Sequence, residues 1–294
     1  MRWTKSSLLR VSFDTCATAG AHAHRRAARL EQLAMADSVT DGYDAVYGGW
    51  NSPTFHAIWA RTAVNGEMES GFEHLNFATT SDLTRLAADL HLQADERLLD
   101  VACGAGGPGL FVARATGAKL VGLDLSSVGT VIAAERAERI GIDAEFVVAS
   151  VTTEGAIPDP VDGAMSIDSL QYVPDKHAAF AEIARALKPS GRLAFTAFEL
   201  DAEVVTGLPV LGEDPVGDYR PVLEAVGLTV EIYQQTPEWE ERLTAAYSAV
   251  VDADAQLRPE IGDAAMDSYT LEMSLTLAVK PYKGRAYVVA RKSN

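Results

Sequence analysis

Residues 98–126 read LLDVACGAGGPGLFVARATGAKLVGLDLS. An apolar run, Leu98–Val101, leads into Gly104, Gly106 and Gly109 in GxGxxG spacing, with Pro108 suited to the first turn of a helix running to Ala115. Lys119–Leu123 is a second apolar run, closed by Asp124. The pattern predicts strand, glycine turn, helix and strand. Glycines there let the backbone approach a ligand, and the helix start offers free N–H groups. An acid at the end of the second strand is placed to take both hydroxyls of a ribose.

That much fits any adenosine-bearing ligand, NAD included. Asp100 separates the candidates. At the end of the first strand its carboxylate would repel a pyrophosphate and attract an ammonium group. S-adenosylmethionine carries an amino group and a sulfonium and no phosphate, so the electrostatics favour it.

Outward from this stretch, strands and helices alternate. Expected strands are Arg97–Ala102, Lys119–Leu123, Phe146–Ala149, Gly163–Ile167, Arg192–Ala197, Leu228–Tyr233 and Ala286–Ala290. Helices are expected at Val128–Ile140, Lys176–Leu187 (stopped by KPSG) and Tyr219–Val226. Such alternation implies right-handed βαβ units and a parallel sheet covered on both faces. Residues 37–93 read as a helical, aromatic-rich cap, with Thr80-Ser81-Asp82 capping a helix over Leu83, Leu86 and Leu90. Residues 94–294 form the cofactor domain. It carries an insertion at 236–280, where Glu238–Val251 and Ala264–Leu277 read as two helices.

The net charge of −16 argues against nucleic acid as a partner. No apolar run approaches membrane-spanning length, so no membrane partner is expected. Cys16 and Cys103 cannot form a disulfide framework and suit a reducing, cytoplasmic setting. Residues 1–36 are set apart by Arg2, Lys5, Arg10, Arg25, Arg26 and Arg29 against Asp14 and Glu31. Transit peptides share that composition. The simpler reading, an extension outside the fold, is adopted.

Four segments in order resemble the class I S-adenosylmethionine-dependent methyltransferases, nearest to bacterial enzymes that tailor natural products. LLDVACGAGGPG looks like the first motif, with Ala102 replacing its first glycine, and LVGLDLS like the second. AMSIDSLQYVPD resembles the fourth-strand loop over the reactive methyl, and EIARALKPSGRLAFT the helix-turn-strand after it. The resemblance implies a Rossmann-like, doubly wound α/β sheet of seven mostly parallel strands, the last antiparallel, with a helical cap. It implies that Asp100, Ala102, Gly104 and Gly106 hold the methionine part, Asp124 the ribose, and Leu125, Ser150 and Val151 the adenine. Ser150 departs from the acid many relatives carry there. Tyr43 and Tyr47, one helical turn apart, would close over the methionine end. Asp168 would contact cofactor or acceptor.

Candidates for the chemistry follow. His74, among aromatics in GFEHLNFA, is the best placed histidine for a base, and Glu199 is the second. Gln171 stands where many relatives have a histidine; it can orient a substrate but not accept its proton. Tyr172, Phe198, Trp239 and Tyr247, with Tyr269 and Met273, could wall the acceptor. Acids and histidines do not cluster at ligand spacing, so no metal is expected. The sequence thus reads as a methyltransferase acting on a small, largely apolar metabolite, a hydroxyl favoured, with a homodimer left open. A cyclase built on the same fold, an NAD-dependent oxidoreductase and a non-enzymatic binding protein are the rivals.

Overall fold

The structure, a computed structural model, describes residues 44, 46, 47, 50–157, 159–208 and 211–294. The expected extension at 1–36 and Tyr43 lie outside the described residues.

Seven strands form one sheet: β1 (Arg97–Val101), β2 (Lys119–Asp124), β3 (Ala144–Val148), β4 (Val161–Ile167), β5 (Leu187–Leu200), β6 (Leu228–Gln235) and β7 (Tyr282–Lys292). Their order is β3-β2-β1-β4-β5-β7-β6. The first five pair in parallel, and β7 enters antiparallel between β5 and β6. Strand order reverses between β1 and β4, and the crevice beyond their carboxyl ends is where such sheets bind ligands.

Ten helices of the described residues cover the sheet: α1 (Pro53–Thr62), α2 (Thr80–Leu90), α3 (Gly107–Thr116), α4 (Ser127–Ile140), α5 (Lys176–Ala186), α6 (Ala202–Val205), α7 (Arg220–Ala225), α8 (Trp239–Asp252), α9 (Asp254–Ile261) and α10 (Asp263–Val279). One face packs α5 and α7 through Phe180, Ile183 and Leu223 onto Leu99, Val121 and Phe195. The other packs α2 and α3 through Leu86, Leu90 and Leu110 onto Leu98, Leu120 and Met165. Truncating one of these fully buried leucines to alanine costs about 2–5 kcal/mol.

A third core joins parts far apart in sequence. Phe55 and Trp59 of α1 pack with Tyr247 of α8, Tyr269 and Met273 of α10, and Phe198 of β5. The N-terminal cap and the late insertion therefore share one apolar interior over the sheet's end.

Several local expectations shift. Thr79 caps α2, its side chain taking the Asp82 N–H while the Asp82 carboxylate takes the Thr79 N–H. α5 ends at Ala186, one residue short of the expected Leu187, and KPSG, expected as a turn, lies within the first residues of β5, where Ser190 adopts φ 65°. The insertion holds three helices. The extra one, α9, is tied down by Arg258, which bridges Asp254, Asp263 and Asp267.

Candidate active site

The chain leaves β1 through three left-handed residues: Ala102 (φ 56°), Gly104 (φ 51°) and Gly106 (φ 77°). This bend aims the start of α3 at the crevice. A Cβ on Gly104 would meet the Tyr47 hydroxyl, and one on Gly106 would meet Ala133 at 2.8 Å, so both positions need glycine. The Asp124 carboxylate braces the loop: Oδ2 accepts the Gly104 N–H at 2.7 Å and Oδ1 accepts the Ser126 N–H at 2.8 Å. Burial pushes its pKa up. Leu125, next in the chain, stays 38% exposed at the crevice, an apolar surface free to meet a flat ring.

Asp100 lies beneath the loop and is only 2% exposed. The Gly109 backbone approaches so closely that a Cβ there would meet Asp100 Oδ2 at 2.4 Å. Yet Oδ2 has no hydrogen-bond partner. Burial first, then the neighbouring Asp124, push its pKa up to about 8. The Gly109 N–H reaches the carboxyl and partly offsets that rise, which leaves Oδ2 capacity for one further donor. The glycine cradle and this orphaned atom together fit an amino-acid-bearing nucleoside.

Tyr47 is half-buried, its ring against Gly104 and Gly129. Asp44 was not foreseen. Its Oδ1 accepts the Ser126 hydroxyl at 2.5 Å and the Val128 N–H at 3.4 Å, a favourable place for an anion at the start of α4. Where the adenine is expected, the Ser150 and Thr152 hydroxyls bond each other at 2.7 Å, and the Val151 side chain packs in the sheet core.

On the acceptor side, Asp168 (φ 53°) is fully engaged. It holds Arg285 in a two-pronged ion pair at 2.8 and 3.0 Å, and also accepts the Thr196 hydroxyl and the Phe77 N–H. Such saturation suits a pin between β4, β5, β7 and the cap loop, not a proton carrier. Gln171 is likewise buried; its amide donates to the Asp168 carbonyl and accepts the Phe198 N–H. Glu199 faces away from the cap. Side chains alternate along a strand, and Phe198 packs into the cap core. Glu199 therefore points to the opposite face, where Tyr233 and Gln235 donate to it, each at 2.6 Å. The expectation of a second base there is not carried forward.

His74 is buried, and its Nδ1 makes no full hydrogen bond. Desolvation lowers its pKa to about 4, partly offset by a hydrogen bond to the Asn76 backbone, which keeps the imidazole neutral but makes it a weak base until a substrate changes its surroundings. Its loop is clamped to the glycine loop by Arg136 of α4, another residue the sequence did not flag. Arg136 Nη1 donates to the Glu73 and Ala105 carbonyls at 2.9 and 3.1 Å, and Nη2 reaches the Glu73 carboxylate at 3.3 Å. Phe198 gathers the aromatic wall: Tyr282 stacks on it at 4.4 Å, and Trp239 and Phe77 meet it edge-on at 5.7 and 5.8 Å. Tyr247 packs on Phe77 and Trp59, and the Tyr172 hydroxyl donates to Glu272 of α10 at 3.3 Å.

Residues 98–191 match the methyltransferase domain family. The chain is 29% identical over 275 residues to a protein of Amycolatopsis mediterranei named 27-O-demethylrifamycin SV methyltransferase, covering 87% of this chain and 97% of that one. It is 28% identical over 187 residues to methyltransferase GfsG of Streptomyces halstedii, covering 59% and 66% respectively. Among solved structures, the [4+2]-cyclase SpnF superposes with a TM-score of 0.63 at 24% identity, over 87% of this chain and 95% of that one. At that identity the likeness speaks for the fold alone.

Proposed function

We propose that the chain, which matches the methyltransferase domain family over residues 98–191 and is similar along most of its length to a named methyltransferase, is an S-adenosylmethionine-dependent methyltransferase that methylates a hydroxyl of a small, largely apolar metabolite of the natural-product kind. The observation that carries this reading is His74. A neutral, buried imidazole whose Nδ1 makes no full hydrogen bond lies in a cap loop clamped to the cofactor loop.

Bound in the glycine cradle, S-adenosylmethionine would supply an electrophilic methyl with a good leaving group. The protein's own part is alignment, exclusion of water and removal of one proton. Asp100 and the backbone of Gly104 and Gly106 hold the amino-acid end, Tyr47 covers it, Asp124 takes the ribose, and Leu125 packs on the base. His74 accepts the hydroxyl proton. Asp168, Gln171 and Arg285 keep the floor of the acceptor site rigid, and Phe198, Trp239, Tyr172 and Tyr247 give it an apolar wall. We assign the cap to 37–93 and the cofactor domain to 94–294 with its insertion at 236–280, leaving 1–36 outside. A cytoplasmic setting fits this reading. Among the described residues no helix is long and apolar enough to cross a membrane.

Incubation with methyl-labelled S-adenosylmethionine and 27-O-demethylrifamycin SV, the acceptor in the relative's name, with a panel of related phenols and macrolactones, tests it. Label should appear on an acceptor oxygen and fall at least tenfold in His74→Ala. A product formed without label would replace this reading with a cyclase.

A further inference from the structure

His74 sits on a short span whose two ends are fixed by parts of the fold other than the cofactor loop. Upstream, Phe72 meets Phe111 of α3 edge-on at 5.7 Å, and Glu69 pairs with Arg114 of the same helix at 2.7 Å. Downstream, the Phe77 N–H donates to Asp168 at 2.8 Å, and Arg242 of α8 donates to the Phe77 carbonyl at 3.0 Å. Between these anchors run Glu73, His74, Leu75 and Asn76.

Arg136 of α4 joins this span to the cofactor loop. It is 3% exposed, and a single nitrogen, Nη1, donates to the carbonyls of both Glu73 and Ala105. Ala105 lies between Gly104 and Gly106, the left-handed glycines that shape the cradle. Nη2 adds the Glu73 carboxylate, while Nε makes no bond, so the hold runs through the end of the fork. The approach is close as well as polar: a Cβ on Gly107 would meet the Glu73 and Phe72 carbonyl oxygens at 2.5 and 2.6 Å. Trp50 closes the group. Arg136 lies over its ring at 5.3 Å, and the Trp50 N–H donates to the carbonyl of Tyr47, whose ring covers Gly104.

The donors of a guanidinium lie in one fixed plane, so it holds its partners by direction as well as by charge. Two carbonyls on one nitrogen cannot move independently. A shift of Ala105 either carries Glu73 along or breaks a charge-assisted hydrogen bond.

We propose that Arg136 is a positioning residue that makes the placement of His74 depend on the state of the cofactor loop. On the methyltransferase reading above, a cofactor that orders the turn at Gly104 and Gly106 thereby sets the base for the acceptor. Arg136 acts through the Ala105 and Glu73 carbonyls, not on the reacting atoms.

Backbone hydrogen exchange across residues 71–78, read by mass spectrometry with and without saturating S-adenosylhomocysteine, tests it. In the wild-type protein the ligand should slow exchange there by about fivefold or more. Arg136→Met should lose that slowing, while residues 102–110 remain protected by the ligand and its affinity stays within about tenfold of the parent. Arg136→Lys, which keeps the charge, should recover part of the slowing. A wild-type span indifferent to S-adenosylhomocysteine, or slowing that survives Arg136→Met, would overturn the proposal. A larger loss of affinity in Arg136→Met would also overturn it, by making Arg136 part of the cradle itself. The wild-type comparison stands even if a variant folds poorly. Failure of the wild-type protein to take up S-adenosylhomocysteine would instead strike the parent reading, which separates the two.

Discussion

Asp124 accepts the backbone N–H of Gly104 at 2.7 Å, so the acid expected to hold a ribose is also the brace of the loop expected to hold the methionine. The two halves of the cradle are one hydrogen-bonded unit. Asp124→Ala should therefore weaken S-adenosylhomocysteine by more than the ribose contacts alone, with a loss of about 2–4 kcal/mol for charged hydrogen bonds and a loosened loop. Calorimetry measures it. A loss below threefold would mean the carboxylate serves the loop only.

Asp100 gives the site a pH dependence. Its pKa, raised by burial to about 8, means the empty site holds a proton there at neutral pH. An ammonium group binds the ionised form, so affinity for S-adenosylhomocysteine should climb between pH 6 and 8, by at most about tenfold per unit. Stability should run the other way. A carboxyl whose folded pKa exceeds its unfolded value stabilises fully below the unfolded pKa and loses that contribution as pH rises through the folded one. The empty protein should thus melt lower at pH 8.5 than at pH 5.5, and Asp100→Asn should flatten both profiles.

Ala102 sits at φ 56° where a glycine would carry no steric cost. Ala102→Gly should relieve about 1 kcal/mol of left-handed backbone strain, partly offset by the greater freedom of glycine in the unfolded chain. Urea unfolding should show a midpoint equal to or above that of the parent, with its slope unchanged.

Arg285 is 0% exposed and paired with Asp168. Removing one partner leaves the other charge buried alone, so Arg285→Met should cost about 3–5 kcal/mol. The double variant Arg285→Met with Asp168→Leu should recover much of that loss. A single variant within 1 kcal/mol of the parent would show that water reaches the pair.

His74 carries the proposed base, with its pKa lowered to about 4 by burial. The acidic limb of kcat should therefore fall well below the ordinary histidine range, leaving activity flat from about pH 6 to 8 if methyl transfer is limiting. A limb centred near 6.5 would place the ionising group elsewhere.

The cofactor half of the site was legible because its logic is local. Glycine spacing, Pro108 and the acid after the second strand are all fixed within one βαβ unit, and the seven-stranded, mostly parallel sheet follows from the same alternation. The acceptor half depends on partners far apart in the chain. Arg285 lay just outside the strand expected at Ala286–Ala290, so nothing pointed to its pairing with Asp168, 117 residues away. Tyr172 and Glu272 lie 100 residues apart, and no periodicity links them. Glu199 is different. Phe198 and Glu199 are neighbours on one strand, and alternation alone forbids both from facing the same pocket.

The most direct test of the central claim is a parallel titration of the wild-type protein with S-adenosylhomocysteine and with NADH. A cradle built around Asp100 and Gly104 predicts 1:1 binding of S-adenosylhomocysteine, weakened at least tenfold by Asp100→Asn at pH 8, with no measurable uptake of NADH. Tight binding of NADH alone would contradict the account.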